Sequence, residues 1–222
     1  MKPKIAVILA GCGFKDGSEI REAVLALTAL SQEGADFQCF APSKDFDEVD
    51  HLTGELTGQK RNILVEAARI ARGHIQPIEK LDPSNFDGLM IPGGFGAAKN
   101  LCTFATDGAN CQVDPQVERV LNQCVGTRRP IAAICIAPAL VARVLQKHGG
   151  TKLTVGAASG AAKAIEAMGS KHIVTRATEI AIDADRRIVT TPAYMYDDAS
   201  LADIFEGIQK AAHQLVKWTR EL

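Results

Sequence analysis

The stretch Ile131-Ala132-Ala133-Ile134-Cys135-Ile136-Ala137-Pro138-Ala139-Leu140 decides the fold. Pro130 opens an unbroken apolar run, and beyond Pro138 the residues Leu140, Val141, Val144 and Leu145 fall at helical spacing. A buried strand therefore turns into a helix at Cys135. Pro138 fits the first helical turn, where its missing N–H would have no intrahelical partner anyway. A thiol at such a turn feels the positive end of the helix, which can lower a cysteine pKa from about 8.5 to between roughly 3.5 and 7.5. The stretch alone leaves open a small, buried, inert cysteine.

Upstream, Ile5 to Leu9 reads as a buried strand running into Gly11-Cys12-Gly13. A dinucleotide fingerprint would need a glycine at position 16, but Asp16 stands there and Gly17 follows, which breaks the pattern. Asp16 to Gly34 is predicted as the first helix from Ile20, Val24, Leu27 and Leu30, with Asp16 or Ser18 as its cap. Glu19 and Glu22 fall in its first turns, three apart on roughly one face; they either complement the helix dipole or face a site.

Asp36 to Ala41 alternates like a second strand, and Pro42 to Gly58 is a polar, turn-rich excursion carrying His51-Leu52-Thr53-Gly54-Glu55, expected at the surface or on a lid. A helix capped by Asn62 runs to Arg72, and Ile75 to Leu81 is extended. The core strand Phe86 to Ile91 ends in Pro92-Gly93-Gly94-Phe95-Gly96. Glycines there make either a tight turn or one whose N–H groups hold an oxyanion. A helix from Ala97 to Ala105 precedes an irregular loop, Thr106 to Asp114, and Asp114 with Pro115 starts a helix to about Val125. Beyond the elbow come a strand at Leu153 to Val155 and a helix from Ala161 to Met168, stopped by Gly169. Strand material follows from Ile173, with a hairpin over Glu179 to Thr191. Thr191-Pro192-Ala193-Tyr194 ends the last strand, and Ser200 to Trp218 is a helix.

Alternating strands and helices imply an α/β fold: a doubly wound, mostly parallel sheet with helices on both faces and a small β-hairpin addition. Ligands bind beyond the carboxyl ends of such strands. One rim thus gathers Gly11 to Glu22, Gly93-Gly94 and Cys135.

The 222 residues, 46% hydrophobic and 23% charged, suit a single domain over 1–222 that buries roughly 70–75% of its unfolded surface. A net charge of −1, from 25 basic and 26 acidic residues, favours neither nucleic acid nor an anionic membrane. Cys12, Cys39, Cys102, Cys111, Cys124 and Cys135 lack both zinc-site spacing and the density of a disulfide scaffold, so a reducing cytoplasm is expected. The apolar run from Ile5 to Ala10 is too short for a signal peptide, and no stretch approaches a membrane span of about 20 residues.

These motifs resemble the class I glutamine-amidotransferase-like superfamily, in the branch of the parkinsonism-associated deglycase, and within it the enhancing-lycopene-biosynthesis group. The likeness runs nearly end to end, through Val7-Ile8-Leu9-Ala10-Gly11-Cys12-Gly13, Asp16-Gly17-Ser18-Glu19-Ile20, His51 to Glu55, Ile91-Pro92-Gly93-Gly94-Phe95-Gly96-Ala97-Ala98-Lys99-Asn100-Leu101, Cys135 to Ala139, and Thr190 to Met195. The resemblance implies a flavodoxin-like fold, a nucleophile elbow at Cys135, and a cofactor-free, metal-free and glutathione-independent glyoxalase that acts on a small α-oxoaldehyde as a homodimer. It further implies an oxyanion hole from the N–H groups of Gly94 and Ile136, with Gly93, Asn100 and Pro192 bordering the substrate.

Counting back from Gly34 makes Glu22 the partner acid, with Glu19 the alternative. The superfamily's protease-like members carry a histidine directly after the cysteine, where this chain has Ile136, and none of His51, His74, His148, His172 or His213 stands at a replacement position. Protease and amidotransferase chemistry is thereby disfavoured. The competing expectation is a non-catalytic thiol sensor or protein-interaction module.

Overall fold

A computed structural model describes residues 2–221; Met1 and Leu222, at the two ends of the expected domain, lie outside the described residues. In chain order the elements are β1 (Lys4–Ile8), α1 (Ile20–Gln32), β2 (Asp36–Ala41), β3 (Asp45–Val49), β4 (Leu56–Asn62), α2 (Ile63–Ile70), β5 (Ile75–Pro77) and β6 (Gly88–Ile91). Then follow α3 (Phe95–Lys99), α4 (Phe104–Asp107), α5 (Pro115–Gly126), β7 (Ile131–Ile134), α6 (Ala137–Leu145), β8 (Lys152–Leu153), α7 (Gly160–Ala167), β9 (Lys171–His172), β10 (Ala181–Asp183), β11 (Ile188–Thr191) and α8 (Leu201–Thr219).

Seven strands form the main sheet in the order β10-β11-β7-β6-β1-β2-β5. All neighbours are parallel except β10 and β11, the expected hairpin. Successive strand residues point to opposite faces, so Ile5, Val7 and Leu9 pack with α1 and α8 while Ala6, Ile8 and Ala10 pack with α3, α5 and α6. Both faces are covered, which is why β6 and β7 are buried at every position. The chain runs outward from β1 through β2 to β5, then returns to β6 and proceeds the other way. The crevice between the ends of β1 and β6 is therefore a topological switch point, where open α/β sheets bind ligands.

Several boundaries differ from the sequence reading. Helix α1 begins at Ile20, because the expected caps are engaged elsewhere: Asp16 Oδ2 accepts from Val49 N at 2.9 Å and Ser18 Oγ from Ala10 N at 2.8 Å. Glu19 caps the helix instead, its Oε2 accepting from Glu22 N at 2.6 Å. The excursion after β2 is an antiparallel hairpin, β3 with β4, reaching Asn62. The expected helix over 97–105 is two short pieces, α3 and α4. The strand expected at 153–155 is β8, which pairs with β9 outside the main sheet. Asn62, Asp114 and Ser200 cap α2, α5 and α8 as their side-chain chemistry predicts. No helix among the described residues is long and apolar enough to cross a membrane.

Candidate active site

Cys135 sits between β7 and α6 with φ +63°, a left-handed conformation that costs a non-glycine residue energy and marks functional turns. Two anchors hold it there. Its own N–H donates to Thr191 O at 2.9 Å, the end of neighbouring β11, and Pro138 lies in the first turn of α6. The sulfur is thereby presented over the sheet's carboxyl edge, 7% exposed as a residue.

The loop after β1 is latched to the turn after β6 by backbone bonds: Glu19 N to Gly93 O at 3.0 Å, Gly96 N to Gly17 O at 2.9 Å and Phe95 N to Phe14 O at 2.7 Å. This close approach needs glycine at Gly94, where φ is +93° and a Cβ would lie 2.3 Å from Glu19 N. The latch brings the first turns of α1 over Cys135. Gly94 N–H and Ile136 N–H both act on the sulfur as hydrogen-bond donors. These are the two N–H groups expected to form an oxyanion hole.

Glu22 is fully buried. Its Oε2 accepts from Gly93 N at 3.0 Å and its Oε1 from Tyr194 N at 3.1 Å. The Cys135 thiol is a further hydrogen-bond partner of this carboxyl, a contact that favours ionised Glu22 and holds the proton on the sulfur. Burial, then the charge of Glu19, push the Glu22 pKa up to about 8. Burial, then the charge of Glu22, push the Cys135 thiol well above its ordinary value, while the Gly94 and Ile136 N–H groups pull the other way. This corrects the expectation of a depressed thiol pKa: the helix end acts in the expected sense, but desolvation outweighs it. Glu19 is also raised by burial and borders the cavity above the sulfur as the cap of α1.

The remaining expected pocket residues serve the frame. Gly93 leaves no room for a side chain: a Cβ there would lie 2.3 Å from Cys135 Cβ and 2.6 Å from Glu22 Oε2. Asn100, expected beside the substrate, instead donates from Nδ2 to Ala10 O and Asp16 O, both at 2.8 Å. It is a staple on the β1–α1 loop, because its amide matches two carbonyls there. Pro192 packs toward Gly156, where a Cβ would lie 3.1 Å from its own Cβ; the turn that it opens points Tyr194, not Pro192, at the site. The Tyr194 N–H that holds Glu22 has no signal in the sequence beyond the Thr190 to Met195 run, because a bend at Ala193, φ +42°, is what turns it inward. Tyr194 Oη accepts from Arg21 Nη1 at 3.0 Å.

A cavity of about 740 Å³ opens over Cys135, walled by Phe14, Ile20, Phe95, Phe104, Tyr194 and Met195 among others. None of the histidines is in its lining. His51 belongs to the β3–β4 hairpin, where Nδ1 lies 3.0 Å from Val49 O; it meets the β1–α1 loop, its Nε2 accepting from Lys15 N at 3.3 Å, and touches the cavity wall through its edge-on contact with Phe14, ring centroids 5.4 Å apart. Among the described residues no three His, Cys, Asp or Glu side chains gather in a way that could hold a metal.

No family model matches the chain. It is 42% identical over 229 residues to the rat "ES1 protein homolog, mitochondrial", covering 98% of this chain and 85% of that protein. It is 43% identical over 227 residues to the human "glutamine amidotransferase-like class 1 domain-containing protein 3, mitochondrial", covering 97% and 83%. Among solved structures, an isoprenoid biosynthesis protein with an amidotransferase-like domain from Ehrlichia chaffeensis superposes with a TM-score of 0.89 at 40% identity, over 97% of this chain and 99% of that one. A DJ-1 superfamily protein from Salmonella typhimurium shares the fold, with a TM-score of 0.59 at 18% identity over 99% and 95%.

The mitochondrial relatives overturn the expectation of a cytoplasmic protein. Unpaired thiols report a reducing compartment without saying which one. A likeness above 40% across almost the whole chain, together with the Ehrlichia fold, places this protein in the ES1 and enhancing-lycopene-biosynthesis branch of the class I glutamine-amidotransferase-like family, with a fold that the DJ-1 proteins share.

Proposed function

We propose that the protein is a glutathione-independent glyoxalase, converting glyoxal and water to glycolate and methylglyoxal to lactate, with Cys135 as nucleophile and Glu22 as proton shuttle. The observation that carries this reading is the meeting of a nucleophile, a buried acid of raised pKa and two convergent N–H donors under one cavity. An internal redox conversion needs those three parts and no hydride carrier.

Glu22, in its ionised fraction, takes the thiol proton, and the sulfur adds to the aldehyde carbon. The carbonyl pair becomes an oxyanion, which the Gly94 and Ile136 N–H groups hold until Glu22 returns the proton. Glu22 then removes the hydrogen from the sulfur-bearing carbon and delivers a proton to the adjacent carbonyl carbon. As the hydroxyl proton of the first carbon passes to the oxygen of the second, the first is oxidised to a thioester and the second reduced to a carbinol. Water cleaves the thioester, releasing the 2-hydroxy acid and restoring the thiol. A shuttle with a pKa of about 8 takes and gives protons near neutrality with little driving force lost. With no histidine, turnover is expected to be slow, since a positioned acid–base group is worth about 10² to 10⁴ in rate.

A thiol sensor, the competing reading, calls for a readily ionised sulfur, and the upward push on Cys135 weighs against it. The protein is further proposed to act as one domain in a homodimer, which sedimentation would check. The decisive experiment follows glycolate by chromatography for wild type and Cys135→Ala at equal folded concentration, without glutathione and with a chelator. Loss of glycolate in the variant is expected; equal rates would overturn the reading.

A further inference from the structure

We infer that the cavity is built for a carbonyl compound with an apolar chain, a 2-oxoaldehyde of medium length, in preference to glyoxal. The inference rests on Cys135 adding to an aldehyde carbon, as proposed above, and concerns what occupies the rest of the space. The cavity is about 740 Å³, within the range that encloses drug-sized ligands, whereas glyoxal has two carbons and two oxygens and would fill one corner.

The walls are chemically divided. Polar groups come from the start of α1 and the segment after β11: Glu19, Arg21, Tyr194 and Asp197. Helices α3 and α4 offer only apolar side chains, Phe95, Ala98, Phe104 and Ala105. Phe14, Ile20 and Phe95 are 43%, 45% and 52% exposed, and all three line this one cavity. Large apolar side chains left to water around a single mouth mark a site that an apolar ligand completes. Gly94, one of the two N–H donors, caps α3, so a chain leaving the carbon held on the sulfur starts beside the apolar side chains of α3 and α4.

The probe is 2-oxooctanal, which carries a six-carbon chain and whose product would be 2-hydroxyoctanoate. A buried methylene is worth roughly fourfold in binding, so a chain about half buried should give a preference of about 50-fold over glyoxal. Two readouts separate the inference from the reading beneath it. The first is the concentration of each aldehyde that half-protects Cys135 from alkylation, which needs addition but not turnover; 2-oxooctanal is expected to protect at about 50-fold lower concentration. Phe95→Ser and Ile20→Ser should each shrink that ratio by about fivefold or more. The second is formation of the hydroxy acid. Chain-dependent protection without acid would remove the glyoxalase reading and leave the ligand class standing. Equal protection by the two aldehydes would overturn the inference even if glycolate is formed. So would a change in oligomeric state on Phe95→Ser with no effect on the ratio, because a second copy of the chain would then be what covers the mouth.

Discussion

Glu22 Oε2 and Cys135 Cβ press on Gly93 from two sides, so that one added Cβ would come within 2.6 Å and 2.3 Å of them. The acid and the nucleophile are thus brought together by the absence of a side chain on a third residue. Gly93→Ala must push one of them away, and because Ile134 O lies only 2.9 Å from the same point, the backbone has no easy retreat. Overpacking of this kind costs about 1–3 kcal/mol. A fall in the denaturant midpoint of that size, with loss of Cys135-dependent activity, is expected; wild-type stability and activity in the variant would contradict the geometry.

Glu22 gives the protein a pH-dependent stability of unusual sign. A carboxyl near 4.5 when exposed and about 8 in the fold holds its proton in the native state after the unfolded chain has lost its own. Native protein therefore binds more protons between those values, and stability falls as pH rises through them. The effect is fully absent below pH 4.5 and complete above pH 8, on the order of 4–5 kcal/mol. Urea unfolding at pH 5, 6, 7 and 8 should show the decline, and Glu22→Gln, which keeps the shape without the charge, should flatten it.

Cys135 is expected to alkylate slowly at neutral pH, with a rate still climbing at about pH 9, since burial and the Glu22 charge both hold its proton on. Removing that charge should ease ionisation. In Glu22→Gln the rate above pH 8 should rise by about tenfold, read by mass analysis of the peptide containing Cys135. A plateau near neutrality in the wild type would show a depressed pKa instead.

Asn100 joins Ala10 O and Asp16 O through one amide nitrogen, so its loss leaves two carbonyls of the β1–α1 loop without that donor. Asn100→Leu should cost about 2 kcal/mol. It should also lower turnover and weaken aldehyde protection of Cys135, because the loop both leads into the start of α1 that carries Glu22 and supplies Phe14 and Glu19 to the cavity wall. Hydrogen exchange over residues 11–19 would report the loosening directly.

What the sequence determined by itself was whatever depends on local pattern. The apolar run into Cys135 with Pro138 three residues on, the continuous apolar run of β1, the alternation along β2, and the capping side chains of Asn62, Asp114 and Ser200 each report forces acting within a few residues. Tertiary structure decided the rest through partners distant in the chain. Asp16 and Ser18 looked like helix caps until Val49 N and Ala10 N claimed them, which moved the start of α1 and gave the cap to Glu19, leaving Glu22 to face the sulfur. The direction of the Cys135 pKa was likewise not local: the helix end is visible in sequence, but the desolvation that overrides it exists only once α1, the Gly93 turn and the segment at Tyr194 close around the thiol.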